Sequence, residues 1–169
     1  MQLLLMPVIW ILSAYKWSDW RNWKSYYPTI LFFILCDIIY NFIAYNYPLW
    51  ELTSPGLGVT FSVLIKCFTS WPASTLLYLT HFPLAGKLKK AIYMLIWAVL
   101  FTLIELVFRR LGYVKYSNGW NIVWSTLFNI FMFPLLKIHH EKPLLAWPLA
   151  FLLGTTIIYF FNIPLSSMK

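Results

Sequence analysis

Asp37 and Lys66 are charged residues set inside two successive apolar stretches of the chain. By insertion scales an ionisable residue in such surroundings costs about 2.5–3.5 kcal/mol, so each needs a partner or a task. Asp37 lies nine residues past Pro28, and Lys66 lies ten past Gly56, where the next stretch opens. On helices rising ~1.5 Å per residue, both sit about 13–15 Å into a hydrocarbon core about 30 Å thick. Consecutive antiparallel helices would bring them to one depth, and the spacing predicts that they pair. Polar residues recur at four-residue intervals around them: Asp37 and Asn41; Ser62, Lys66 and Ser70; Asn121, Ser125 and Asn129. Residues four apart share a helix face, so three helices can aim polar groups into one interior. Two chemistries fit. The stripe is either hydrogen-bonding glue around a neutralised charge pair or a site for a ligand, proton or ion.

A second group surrounds the most polar joint of the C-terminal half. Glu105 and Arg109 are spaced for an ion pair on one helix face. Arg110, Tyr113, Lys115, Tyr116, Trp120 and Asn121 follow closely, as a basic, aromatic-rimmed mouth over the Asn121–Ser125–Asn129 stripe. A guanidinium fork suits phosphate or carboxylate, while arginines that snorkel to lipid headgroups explain the same residues. The candidate ligand-binding set is therefore Asp37, Asn41, Lys66, Glu105, Arg109, Arg110, Trp120, Asn121, Ser125 and Asn129.

Other chemistry is poorly represented. "KIHHEKP" places His139, His140 and Glu141 side by side, whereas paired metal ligands on a helix sit four apart. His81 stands alone. Phosphate-binding loops, nucleophile elbows, zinc-protease motifs and dinucleotide fingerprints are absent. No catalytic residue, metal or cofactor is assigned. A membrane-embedded lipid-modifying enzyme, which can work with isolated polar residues, stays open.

The elements that must position these residues follow from composition. Of 169 residues 61% are hydrophobic and 11% charged, where a soluble domain carries about 25% charge. Lipid is the expected solvent, and the abundance of Trp, Tyr and Phe fits rings at the headgroup level. The net charge of +8 does not point to nucleic acid, which needs one basic face on a folded module; the basic residues fall in clusters between apolar runs. Cys36 and Cys67 lie within apolar runs and form no CxxC pair. The opening "MQLLLMPVIWILSAYKW" lacks a basic leader and a small-residue cleavage site, and is expected to be retained.

Six apolar segments result: 2–15, Pro28–Asn46, Gly56–Thr80, Ala91–Phe108, Gly119–Leu136 and Pro143–Asn162. The expectation is an all-α, six-span transmembrane bundle forming one integral membrane domain over 1–169, or five spans if the short 2–15 segment does not cross. Pro72 should kink the third span near Lys66. Placing loops 16–27, 81–90 and 137–142 in the cytoplasm puts eight basic residues inside and four outside, with both termini outside. Arg109, Arg110 and Lys115 are the local violation of that bias. In the first loop, Trp17, Trp20 and Trp23 are spaced to share a helix face as an interfacial anchor.

"LGYVKYSNGWNIVWS", with Glu105 ahead of it, resembles an uncharacterised group of small multi-spanning membrane proteins of Bacillus-type spore-forming bacteria. Glu105, Tyr113, Tyr116, Gly119, Trp120 and Asn121 are the matching positions. This resemblance implies a fold and a bacterial cytoplasmic membrane, but no activity. "GWNIVWSTLFNIFMF" is similar to one span of the tryptophan-rich sensory proteins, though their W-x-P-P segment has no counterpart here. The six-span, aromatic-rich build also looks like the substrate-binding membrane components of vitamin transporters, without their small-residue coupling motif on the first helix. The expected function is non-enzymatic: binding or transport of a small anionic or amphipathic ligand in an intramembrane polar pocket, with membrane lipids as partners. A structural membrane subunit without ligand and a lipid-modifying enzyme are the alternatives.

Overall fold

The computed structural model describes residues 5–53, 56–164, 166 and 168. It is mostly helical. The helices are α1 (Leu5–Trp17), α2 (Trp23–Ile43), α3 (Val59–Phe68), α4 (Ser70–Thr80), α5 (Lys87–Arg110), α6 (Ile122–Glu141) and α7 (Pro143–Phe160), with two short strands, β1 (Trp50–Leu52) and β2 (Val114–Tyr116). α3 and α4 are halves of one rod, so the six expected segments correspond to six rods. Of segment 2–15, residues 2–4 lie outside the described residues. Four helices, α2, α5, α6 and α7, are long and apolar enough to cross a membrane; α1 and the two half-helices are too short to qualify singly.

The rod breaks at Thr69, whose backbone (φ −127°, ψ −69°) leaves helical geometry. Pro72 lies in the first turn of α4 and has no N–H to offer the Phe68 carbonyl, which favours an interruption here, although α2, α6 and α7 run through Pro28, Pro134 and Pro148. The Thr69 hydroxyl bonds back to the Ile65 carbonyl. The expected kink is thus a full break, placed three residues before the proline.

Two ends of the bundle can be told apart by their contacts. At the base end, the Asp19 amide donates to Thr80 Oγ1 (3.2 Å) and Thr29 Oγ1 meets His139 Nδ1 (3.0 Å). His139 stacks on Phe32, and Lys137 Nζ lies 4.4 Å from the Phe82 ring centre. This end gathers the three loops with the larger basic share. Above it lies a closed core around Tyr78, which is fully buried and donates to the Phe133 carbonyl at 2.8 Å. α1 packs along α4, where Ala14 meets Ala73 and Leu77; small residues let helices approach closely.

The opposite end carries a lid. β1 and β2 pair antiparallel, with Trp50 opposite Tyr116, Glu51 opposite Lys115 and Leu52 opposite Val114. The expected all-α fold is corrected on this point: two connections have satisfied their backbone groups against each other. The Tyr40 side chain is one of the ties between the lid and the bundle. The Tyr40 hydroxyl donates to the Trp50 carbonyl (3.0 Å) and accepts from the amides of Leu49 (3.1 Å) and Trp50 (2.9 Å), while its ring stacks on Trp50 at 3.8 Å. Trp120, Phe161 and Ile163 complete the packing beneath. Gly112, at φ +80°, ends α5 in the left-handed turn that sends the chain into β2; Tyr113 N donates back to the Phe108 carbonyl at 2.8 Å.

Three boundaries differ from expectation, for one reason. Helices continue past the apolar runs, because backbone hydrogen bonding does not stop where hydropathy does. The expected loop 137–142 is helical to Glu141, leaving Lys142 as the connector, and α1 and α2 take up most of 16–27. Trp17, Trp20 and Trp23 consequently fall on α1, a 3₁₀ turn and α2, not on one helix face, although all three stay exposed. α2 ends at Ile43, so Asp37 lies about 9 Å from its lid end. The outward faces of α1, α5 and α7 expose Leu12, Ile96, Leu103, Leu145 and Leu152. An apolar surface this continuous demands lipid or protein against it.

Tyr40→Phe removes all three hydroxyl bonds to the lid and keeps the ring stack. It should cost about 1–3 kcal/mol and speed hydrogen exchange at the Leu49 and Trp50 amides while leaving α6 amides unchanged, as read by exchange mass spectrometry.

Candidate functional site

Between lid and base the rods line a partly open cavity of about 390 Å³ whose walls are largely apolar. Two polar clusters reach it. Each is positioned by elements whose local sequence explains the placement.

The first cluster joins α2 to α3. Lys66 Nζ lies 3.0 Å from Asp37 Oδ1, with side chains 17% and 8% exposed respectively. The expected pairing is present. Cys67 Sγ donates to Asp37 Oδ2 at 3.4 Å, and Lys66 Nζ stands 4.9 Å from the Trp71 ring centre, so the carboxylate and the ammonium each gain a second contact. The break at Thr69 separates α3, which carries Lys66 and Cys67, from α4, which packs on α1 and α2. Asn41 does not reach the carboxylate. Its amide donates to the Asp37 backbone carbonyl at 2.7 Å, a local bond within α2, and it does not line the cavity. Ser62 and Ser70 do line it.

The second cluster joins α5, β2 and α6. Glu105 Oε1 accepts from Tyr116 Oη (2.8 Å) and Ser125 Oγ (2.7 Å), and Trp120 Nε1 donates to Ser125 Oγ (2.8 Å). Desolvation pushes the Tyr116 phenol up to about 12, which keeps it protonated as a donor. The expected Glu105–Arg109 ion pair is not formed; the ion pairs among the described residues are Lys66–Asp37 and Lys137–Glu141. Glu105 turns into the bundle, because Tyr116 and Ser125 offer it two neutral donors there. Arg109 turns outward, with Cζ 4.7 Å from the Tyr116 ring centre, and Arg110 is exposed at the end of α5. Neither arginine lines the cavity.

Of the stripe on α6, two members behave as expected and one does not. Ser125 and Asn129 are buried and line the cavity; Asn129 Nδ2 donates to Thr102 Oγ1 at 3.2 Å. Asn121 is instead the N-cap of α6, accepting from the Val123 (2.9 Å) and Trp124 (3.4 Å) amides, and is exposed. An asparagine one residue before a helix satisfies its orphan amides better than it serves a pocket. Its placement after Gly119–Trp120 and before an apolar run was the available signal.

Tyr116, Thr102, Cys67 and Tyr40 are polar contributors that the four-residue spacing does not single out. Tyr116 and Tyr40 act across the lid, where sequence spacing has no period to reveal them. His139 and His140 sit at the base, His139 on Thr29 and Phe32, and His140 stacked on Tyr26. No cluster of metal-ligating side chains occurs among the described residues.

Breaking one side of the pair should be far more damaging than removing both. Asp37→Asn or Lys66→Met alone leaves an uncompensated charge and should cost about 3–5 kcal/mol, while the double variant should stay within about 1 kcal/mol of the parent. Thermal unfolding in one detergent across the four proteins measures the coupling.

Comparison of the chain with protein-family models, with curated proteins and with solved structures gave no match.

Proposed function

We propose that the chain is an integral membrane protein of a bacterial cytoplasmic membrane, with all six rods crossing the bilayer, and that it binds a small amphipathic ligand in the cavity beneath the lid. The cavity carries this reading. At about 390 Å³ it falls within the range of small-molecule sites, about 300–1,000 Å³. Its apolar walls suit a hydrocarbon body, and Asp37, Lys66, Glu105, Ser125 and Asn129 offer points for a polar head.

Two details refine the ligand. An anionic ligand would draw on Arg109 and Arg110 at the mouth, and both stand outside the cavity. The charged lining residues are Asp37, Lys66 and Glu105, two negative and one positive, for a formal sum of −1. That favours a neutral or cationic head over an anionic one. Binding is favoured over passage, because the lid packs over one end and the core around Tyr78 closes the other. A purely structural subunit is the second reading, supported by the Asp37–Lys66 pair, which is satisfied without any ligand.

Gly154 lines the cavity on α7, and a Cβ built there meets nothing within 4 Å. Gly154→Leu should therefore fold normally and fill the space. Native mass spectrometry of protein released from membranes should show a bound small molecule on the parent and none on this variant. Equal ligand-free masses for both would sink the binding reading in favour of the structural one.

The positive-charge bias of the base supports its cytoplasmic placement. In a background with Cys36 and Cys67 replaced by serine, Ser117→Cys should react with an impermeant maleimide on intact cells. Lys142→Cys should react only after permeabilisation; the reverse pattern would invert the topology.

A further inference from the structure

We infer that Glu105 and the aromatic wall beside it form a subsite for a cationic head, so that the ligand is an amphiphile carrying an ammonium group. This rests on the reading of the cavity as a binding site and deepens it. Both donors to the Glu105 carboxylate, Tyr116 and Ser125, bond the same oxygen, Oε1. Oε2 is left as an acceptor with no partner among the described residues, on a side chain that lines the cavity. Among the described residues no cation is paired with the carboxylate, and Arg109, one turn on along the helix, lies on the Tyr116 ring.

Aromatic rings line the cavity beside it. Trp120 is tied to the carboxylate through Ser125. Its ring lies 4.7 Å from that of Trp50, which in turn lies 5.7 Å from Phe128, and all three line the cavity. Aromatic faces attract desolvated ammonium groups through the ring quadrupole, and a carboxylate at the edge adds direct charge complementarity. Lys66 does not compete for the position, because Asp37 already holds it. An anionic head would meet Glu105 unshielded in a medium of low dielectric. The Arg109–Tyr116 contact shows one ring of this cluster already holding a cation on its face.

The test uses the full chain in nanodiscs of uncharged lipid and three probes with the same tail: dodecyltrimethylammonium, dodecyl sulfate and dodecanol. Binding is read by competition-corrected tryptophan fluorescence. The expected result is saturable binding of the ammonium probe, roughly tenfold tighter than either of the others. Glu105→Gln should abolish that preference, and Glu105→Asp should retain part of it. Equal saturable binding of all three probes would overturn the cationic subsite and leave the amphipathic cavity standing. Saturable binding of none would overturn both. Because the probe series is run on the parent protein, the test holds even where a Glu105 variant misfolds.

Discussion

Polar groups in an apolar bundle have to find their partners within the chain, and the rest of this structure is arranged around that constraint. An unpartnered buried group costs about 1–3 kcal/mol and a buried charge more. Asp37 and Lys66 neutralise each other, Glu105 is held by two neutral hydroxyls, and Asn129 is held by Thr102. Each contact joins two different helices or a helix and the lid. The hydrogen bonds that satisfy the groups therefore also fix how the rods stand. Trp71 Nε1 and Thr75 Oγ1 are the buried side-chain polar atoms left without a partner among the described residues.

The same constraint explains the interruption in the third rod. A continuous helix over residues 59–80 would leave the Phe68 carbonyl without the N–H that Pro72 lacks. The break at Thr69 divides the rod into α3, whose Lys66 reaches Asp37, and α4, whose residues are mostly buried in the core. The lid itself is a backbone solution: paired strands and the Tyr40 hydroxyl satisfy amides and carbonyls that would otherwise face apolar rings. The basic residues of the 109–115 segment also find reasons here. Lys115 stands opposite Glu51 across the strand pair, and Arg109 covers the Tyr116 ring.

How legible the site is in the sequence depends on whether its residues obey a period. The Asp37–Lys66 pairing follows from similar depth along consecutive helices. Ser125 and Asn129 follow from four-residue spacing. Asn121 obeys the same spacing but lies at the helix start, where capping outweighs the stripe. Glu105 and Arg109 meet the rule for an ion pair, yet that weak surface interaction loses to two buried hydroxyls brought by Tyr116 and Ser125. Tyr116 and Tyr40 are out of reach because they act across the turns between elements, where no helical period applies.

Composition, hydropathy and proline placement alone determined that this chain is helical, that its apolar segments fall where they do, and that the third rod can kink near Lys66. Those properties are local, set by side-chain transfer energies and by backbone hydrogen bonding within a few residues. Only the tertiary structure decided which polar groups meet, which arginines stay outside, and that two connecting loops pair into a lid over a cavity. These outcomes depend on competition among partners separated by tens of residues, and local sequence carries no record of who wins.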